Sequence, residues 1–210
     1  GYRWFEPDGF FRRKNIYIAY SRTADFEDNI SRAGFFLTGG AQFENYWGIN
    51  FNSNYNFESI STTLTRGGPK LDVPKSFSFN FSGYSDSREK ITFSPFVSYW
   101  ENDLGSNEKN FGLELEWKPN SQFSFSIEPA YSTNFSLYQW EGNFSDPAAI
   151  RTYNTRYVFA DLNQETISSN IRLNWIFTPT LSLQLYLQPL FSVGSYENFK
   201  EIINPPTLGV

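Results

Sequence analysis

The chain alternates apolar and polar residues over stretches longer than an ordinary β-strand. From Leu181 to Val193 every odd position is apolar and most even positions are polar. An alternation with a period of two predicts a strand with two unlike faces. Ordinary strands run about 5–6 residues, whereas a tilted strand that crosses a bilayer needs about 9–11. The segment therefore has the length of a membrane-crossing strand.

The same alternation recurs along most of the chain. It predicts strands at 11–22, 33–43, 46–57, 76–84, 89–101, 110–118, 121–133, 135–141, 152–162, 166–178 and 181–193. Tight turns are expected at Glu44–Asn45, Ser85–Arg88, Pro119–Asn120 and Asn163–Glu165, longer loops at 58–75, 102–109 and 142–151, and a loop-like tail from Gly194. Short connections imply antiparallel pairing, and short turns on one rim with long loops on the other are typical of outer-membrane barrels.

A soluble β-sandwich would also alternate, so the two faces must decide between the two folds. Here the polar face is rich in Ser and Asn, whereas soluble sheets usually carry Lys and Glu for solubility. Aromatic residues make up 20% of the chain. Several lie near strand ends and predict the interfacial girdle of a membrane barrel: Trp47, Tyr99, Trp117, Tyr131 and Trp175. Three mid-strand prolines, Pro95, Pro129 and Pro189, predict a bulge or kink at each position.

Composition excludes several classes of function. The chain has no Cys and no His, which removes disulfides, thiolate metal sites and the commonest general base. We therefore expect no enzyme activity, no cofactor and no metal site. The net charge of −5 argues against nucleic acid as a partner. The chain also has no Met, so we expect it to be a mature form or a piece of a longer protein.

Charged residues on the polar faces of the strands are the candidate site residues: Glu114, Glu116, Lys118, Glu128, Arg156 and Arg172. In a barrel they would face the lumen. Glu114 and Glu116 would lie about 6.5–7 Å apart along one strand, and a solvated wall that attracts cations explains them better than an acid–base pair. The opposed charges would set a transverse field or anchor a plug, or would form cross-strand pairs worth under ~1 kcal/mol each.

Three blocks of sequence carry a family resemblance: Arg156–Thr166, Ile171–Pro179 and Leu181–Tyr186, with Arg66-Gly67-Gly68-Pro69 upstream. Together they resemble the C-terminal region of an uncharacterised outer-membrane protein family common in Bacteroidota. In that family a carbohydrate-binding-family-9-like module precedes a large β-barrel. The resemblance implies a location and a fold but no reaction. It also implies that strands missing here, of the same protein or of other envelope subunits, would pair with the ends of this chain.

The sequence thus predicts an all-β fold. Residues 1–210 are expected to form one antiparallel transmembrane β-barrel domain of about 10–11 strands, or part of a larger barrel, in the lipid bilayer of a bacterial outer membrane. Three functions stay open: a pore, transport component or membrane anchor for a sugar-binding module; a plugged structural or assembly subunit of an outer-membrane complex; and a soluble glycan-binding β-sandwich.

Overall fold

The computed structural model describes residues 1–205, which are almost entirely β-strand and turn. The long strands are β2 (Phe11–Ala24), β3 (Ile30–Phe43), β4 (Gly48–Asn56), β7 (Ser76–Tyr84), β8 (Ile91–Asn102), β9 (Asn107–Asn120), β10 (Phe123–Ser145), β11 (Thr155–Thr178), β12 (Leu181–Leu187) and β13 (Leu190–Glu201). Three short strands are β1 (Tyr2–Trp4), β5 (Ser59–Ser61) and β6 (Leu71–Val73), and a 3₁₀ turn spans Ile150–Thr152.

One antiparallel sheet contains all strands except the β5–β6 hairpin. Its order is β1-β2-β3-β4-β7-β8-β9-β10-β11-β12, and β13 pairs with β11 beyond the end of β12. β12 and β13 therefore act as one long strand along a single neighbour. The predicted all-β antiparallel fold is confirmed. Within the described residues the sheet is open, with β1 at one edge and β12–β13 at the other.

Two segments for which the sequence predicts a turn or a loop instead form part of a β-strand. Asn163–Glu165 lies inside β11, where Glu165 pairs with Thr133 on one side and Val193 on the other. The expected tail from Gly194 continues β13 as far as Glu201. Both predictions are wrong because polar residues suggest a turn locally, whereas pairing with a neighbouring strand satisfies their backbone hydrogen bonds, on both sides for Asn163–Glu165 and on one side for the end of β13. The expected loop at 102–109 also shrinks, because β8 ends at Asn102 and β9 begins at Asn107.

The bulge predicted as one alternative at each mid-strand proline is absent, whereas a local kink there stays a prediction. The pairing of β7 with β8 extends to Phe96 and stops at Pro95. The pairing of β9 with β10 is interrupted between Ile127 and Ala130, around Pro129. The edge strand is interrupted between Leu187 and Leu190, at Pro189. The strand register stays in phase across each gap. A proline removes one hydrogen-bond donor, and the flanking pairs hold the alignment without an extra residue.

The apolar band crosses the sheet obliquely. In β3 the apolar run Phe35–Phe43 is centred on Gly39. We call the residues that pair directly across successive strands a register row, and the row that contains Gly39 reaches Ile167 in β11. That row runs Gly39, Phe51, Phe81, Val97, Phe111, Tyr131, Ile167. The apolar run of β11, from Ile167 to Phe177, is instead centred near Arg172. The centre of the apolar band therefore shifts by about five residues (~17 Å) along the strands over six strand spacings (~29 Å), which is an angle of roughly 30° to the register rows.

Few side chains are buried, and most of them lie at one end of the sheet. The buried hydrophobic residues among those described are Ala33, Leu71, Tyr157, Phe159, Ala160, Leu162 and Ile202. In contrast, Leu181, Leu183, Leu185 and Leu187 are each more than 40% exposed. A sandwich would cover such a face with a second sheet, yet the described residues place no second layer over it.

Candidate functional site

The strand register gathers five of the six candidate charges into one patch on the polar face of β9, β10 and β11. Glu116 pairs with Ser126, Ser126 pairs with Arg172, and Arg172 pairs with Tyr186 of β12. The other members are Glu114, Lys118 and Glu128. We call these five charged residues, Glu114, Glu116, Lys118, Glu128 and Arg172, the charged patch. It carries three carboxylates and two cations.

Hydrogen bonds order the patch across three strands. Tyr186 donates its hydroxyl to Oδ1 of Asn170 at 3.2 Å, and Asn170 donates Nδ2 to Oε2 of Glu128 at 3.0 Å. The guanidinium of Arg172 lies 5.4 Å from the centre of the Tyr186 ring. Lys118 and Glu116 form an ion pair at 2.8 Å within β9. These contacts fix the positions of the charges without neutralising all three carboxylates.

Arg156 does not belong to this patch. It lies sixteen residues from Arg172 along β11, a separation of about 50 Å at ~3.3 Å per residue. Its Nε donates to Asp146 at 2.6 Å, and its Nη1 lies 3.4 Å from Glu201. The amide of Ala148 and the Arg156 guanidinium lower the pKa of Asp146. Arg156 therefore lies far from the other five charges, because β11 is one strand and not two, and its lumen-facing position stays a prediction.

A row of small uncharged side chains crosses the same polar face. It runs Thr38, Asn52, Asn80, Ser98, Asn110, Ser132, Thr166, Ser192, with each pair directly opposite in the register. Over β4 to β9 this face is recessed, and the recess has a volume of about 400 Å³. Residues with hydroxyl and amide side chains line it together with four apolar residues, Phe51, Phe81, Phe96 and Val97. The sequence shows these residues only as spaced Ser and Asn, because their alignment depends on the register.

The predicted girdle residues lie at two different rims. Trp47 packs edge-on against Phe93 at 4.9 Å, and Phe123 lies between Trp117 and Trp175 at 5.3 and 5.7 Å. These three tryptophans lie toward the rim with the short turns, at 44–47, 85–90, 121–122 and 179–180. Tyr99 and Tyr131 lie nearer the opposite rim, where Tyr99 donates its hydroxyl to Glu101 at 2.6 Å. The contact of these rings with lipid headgroups stays a prediction.

The loops at 57–75 and 146–154 are packed against the ends of β10, β11 and β13 rather than free. We call this packed region, the two loops with the strand ends that they cover, the cap. Its core is formed by Leu71, Tyr157, Phe159 and Ile202, and Leu64, Tyr138 and Trp140 pack against that core. Asp161 and Lys200 form an ion pair at 2.5 Å beside this core, with side chains only 11% and 13% exposed. Sequence alternation gave no signal for the cap, because its residues come from distant segments.

The Arg66-Gly67-Gly68-Pro69 segment forms a tight turn under the cap. Arg66 and Gly67 have positive φ angles of 51° and 105°, a conformation in which glycine is free of strain. The Arg66 guanidinium stacks 3.8 Å from the centre of the Trp140 ring, and Asn143 donates Nδ2 to the Thr65 carbonyl at 3.1 Å. These contacts explain the motif through loop packing.

Neither a cluster of metal ligands nor a membrane-spanning helix occurs among the described residues. Among them, no group of three or more His, Cys, Asp or Glu side chains is placed to hold a metal ion. No helix in residues 1–205 is long and apolar enough to cross a membrane.

Comparison with known proteins gives one match. A family model described as a domain of unknown function, DUF5916, matches residues 1–207. Neither the curated proteins nor the solved structures give a match. The resemblance to an uncharacterised family is confirmed, whereas the Bacteroidota origin and the carbohydrate-binding-like module stay predictions. Because the match covers almost the whole sequence, the chain belongs to the DUF5916 family.

Proposed function

We propose that this sheet forms part of the wall of a transmembrane β-barrel in a bacterial outer membrane and that its polar face lines a path for solutes. The observation that carries the proposal is the uncovered apolar band, which runs at roughly 30° to the register rows, close to the ~35–45° tilt of barrel strands. A band parallel to the bilayer must cross tilted strands obliquely. A face of this size is rarely left exposed to water.

The long strands divide into two parts under this proposal. In β11 the apolar run from Ile167 to Phe177 matches the ~9–11 residues that cross a bilayer. The part from Thr155 to Thr166 then projects from the membrane and carries the cap, where the buried core lies. The short-turn rim faces the periplasm, and the cap faces outward, as in barrels with short periplasmic turns.

The open edges support a larger barrel. Among residues 1–205, no strand pairs with the outer edge of β12–β13, and an exposed edge of this length invites pairing with another strand. We propose that further strands, from the same protein or from another envelope subunit, complete the barrel at β1 and at β12–β13.

Site-directed labelling tests the lipid-facing assignment. The chain contains no Cys, so each single substitution places one unique label. In liposomes, a fluorophore on Leu183→Cys is expected to be quenched by lipid-chain quenchers, and one on Gln184→Cys by aqueous iodide. The matched pair Leu115→Cys and Glu116→Cys should repeat the alternation on β9. Equal aqueous quenching at all four positions would favour a soluble sheet instead.

Conductance separates a pore from a plugged scaffold. A steady single-channel current from the protein in a planar bilayer is the expected result. A silent but correctly inserted protein would favour a structural subunit or a membrane anchor for a sugar-binding module.

A further inference from the structure

We infer that the recessed polar face over β4 to β9 is a binding subsite for neutral, polyhydroxylated solutes of the sugar class. This inference rests on the proposed function, because it places the subsite in the lumen of the barrel. It names the class of solute, which neither the family match nor the fold specifies.

Two aromatic rings on this face lie flat against glycines of the neighbouring strand. Phe96 pairs with Gly112, and a Cβ on Gly112 would lie 2.6 Å from Cζ of Phe96. Tyr84 pairs with Gly48, and a Cβ on Gly48 would lie 2.2 Å from the Tyr84 ring. Each ring therefore covers a glycine on the adjacent strand, and any larger residue would push it away. Both side chains are half-buried, and of the two only Phe96 lines the recess.

Amide side chains line the recess together with Phe96. Among the described residues, Asn54 donates to Ser78 at 3.1 Å and Asn56 donates to Ser76 at 3.1 Å. The side chains of Asn80 and Asn110 make no such bond within residues 1–205, and both line the recess. An amide offers two donors and an acceptor, so each of these two residues, on either side of β8, can hydrogen-bond a hydroxyl group of a solute.

The chemistry of the recess matches one class of solute. A sugar ring presents C–H groups on its face and hydroxyls around its edge, which fit a flat aromatic ring beside amides. The lining residues carry no charge, so an ion would lose hydration there without gaining a partner. The volume of about 400 Å³ also falls in the range of ligand sites. The charged patch lies farther toward the short-turn rim, outside this recess.

Sugar flux through the reconstituted protein tests the inference. In liposomes, maltose entry is expected to saturate with concentration, while entry of lactobionate, an anion of similar size, is not. Phe96→Leu keeps an apolar side chain but removes the ring, and should raise the half-saturation concentration about five- to tenfold. Phe93→Leu makes the same change on the apolar face of the same strand and should leave it unaltered.

The outcomes separate the two proposals. Block of the wild-type ion current by maltose provides a measurement that needs no variant, and it should occur at the same concentrations as saturation. An ion current with linear maltose entry, no block and no effect of Phe96→Leu would overturn the sugar subsite but keep the pore. An inserted protein that passes neither ions nor maltose would overturn both.

Discussion

Arginine substitutions along β11 test the oblique membrane band at residue resolution. If the band lies at roughly 30° to the register rows, each residue of β11 advances about 2.9 Å along the membrane normal. Leu173 then lies close to the bilayer midplane. Ile167 lies about 14 Å from it, at the edge of an apolar band ~25 Å tall.

The expected costs differ sharply between these two positions. An arginine on the lipid face costs about 2–4 kcal/mol at the midplane and about 0–1 kcal/mol near an interface. Leu173→Arg should therefore reduce the free energy of unfolding by about 2–4 kcal/mol, and Ile167→Arg by at most about 1 kcal/mol. Asn174→Arg, on the polar face at the same depth as Leu173, is the matched control and should cost little.

Reversible guanidinium unfolding in lipid vesicles measures these free energies. If the band instead followed the register row, Ile167 would share the depth of Gly39, the centre of the β3 run, and Ile167→Arg would be the costlier change. That order, or equal small costs at all three positions, would refute the oblique lipid-facing band. If Asn174→Arg reduced the free energy of unfolding as much as Leu173→Arg, both faces of β11 would be buried in the same way.

Three other predictions concern the cap and the charged patch. Phe159→Ala empties a fully buried site and should destabilise the cap by about 3–5 kcal/mol, which limited proteolysis of the inserted protein would detect as faster cleavage outside the membrane. Although burial opposes it, hydrogen bonds from Lys200 and Asn198 lower the pKa of Asp161. This stabilisation is therefore present above the ordinary carboxyl pKa of about 4 and is lost as the pH falls through the lower folded value. The protection of backbone amides in the cap against hydrogen exchange should drop in that acid range, and Asp161→Asn should remove this dependence of the protection on pH. Finally, Glu116→Gln should reduce cation preference in reversal-potential measurements, while Arg172→Gln should increase it, because each removes one charge from the patch; identical reversal potentials would place the patch outside the conducting path.

Local alternation accounts for most of the strands but not for their ends. The sequence predicts the strands near 33–43, 76–84 and 89–101 because a period of two is a local property of the chain. It fails at Asn163–Glu165, where polar residues suggest a turn but pairs on both sides continue the strand. The bulge alternative also fails at the prolines, where interrupted ladders keep their register. Hydrogen bonds between distant segments decide both cases.

The candidate site divides in the same way. Alternation places Glu114, Glu116 and Glu128 on polar faces, and it places Arg156 and Arg172 there too. Only the pairing of β9, β10 and β11 brings Arg172 to the carboxylates and leaves Arg156 with Asp146 and Glu201.

By itself, the sequence determined the antiparallel strands, their two unlike faces and the Ser- and Asn-rich character of the polar face, because these follow from residue type and spacing. The tertiary structure decided the tilt of the apolar band, the row from Thr38 to Ser192 and the flat position of the Phe96 ring on Gly112. Each of these depends on register, and register arises from contacts between residues far apart in the chain.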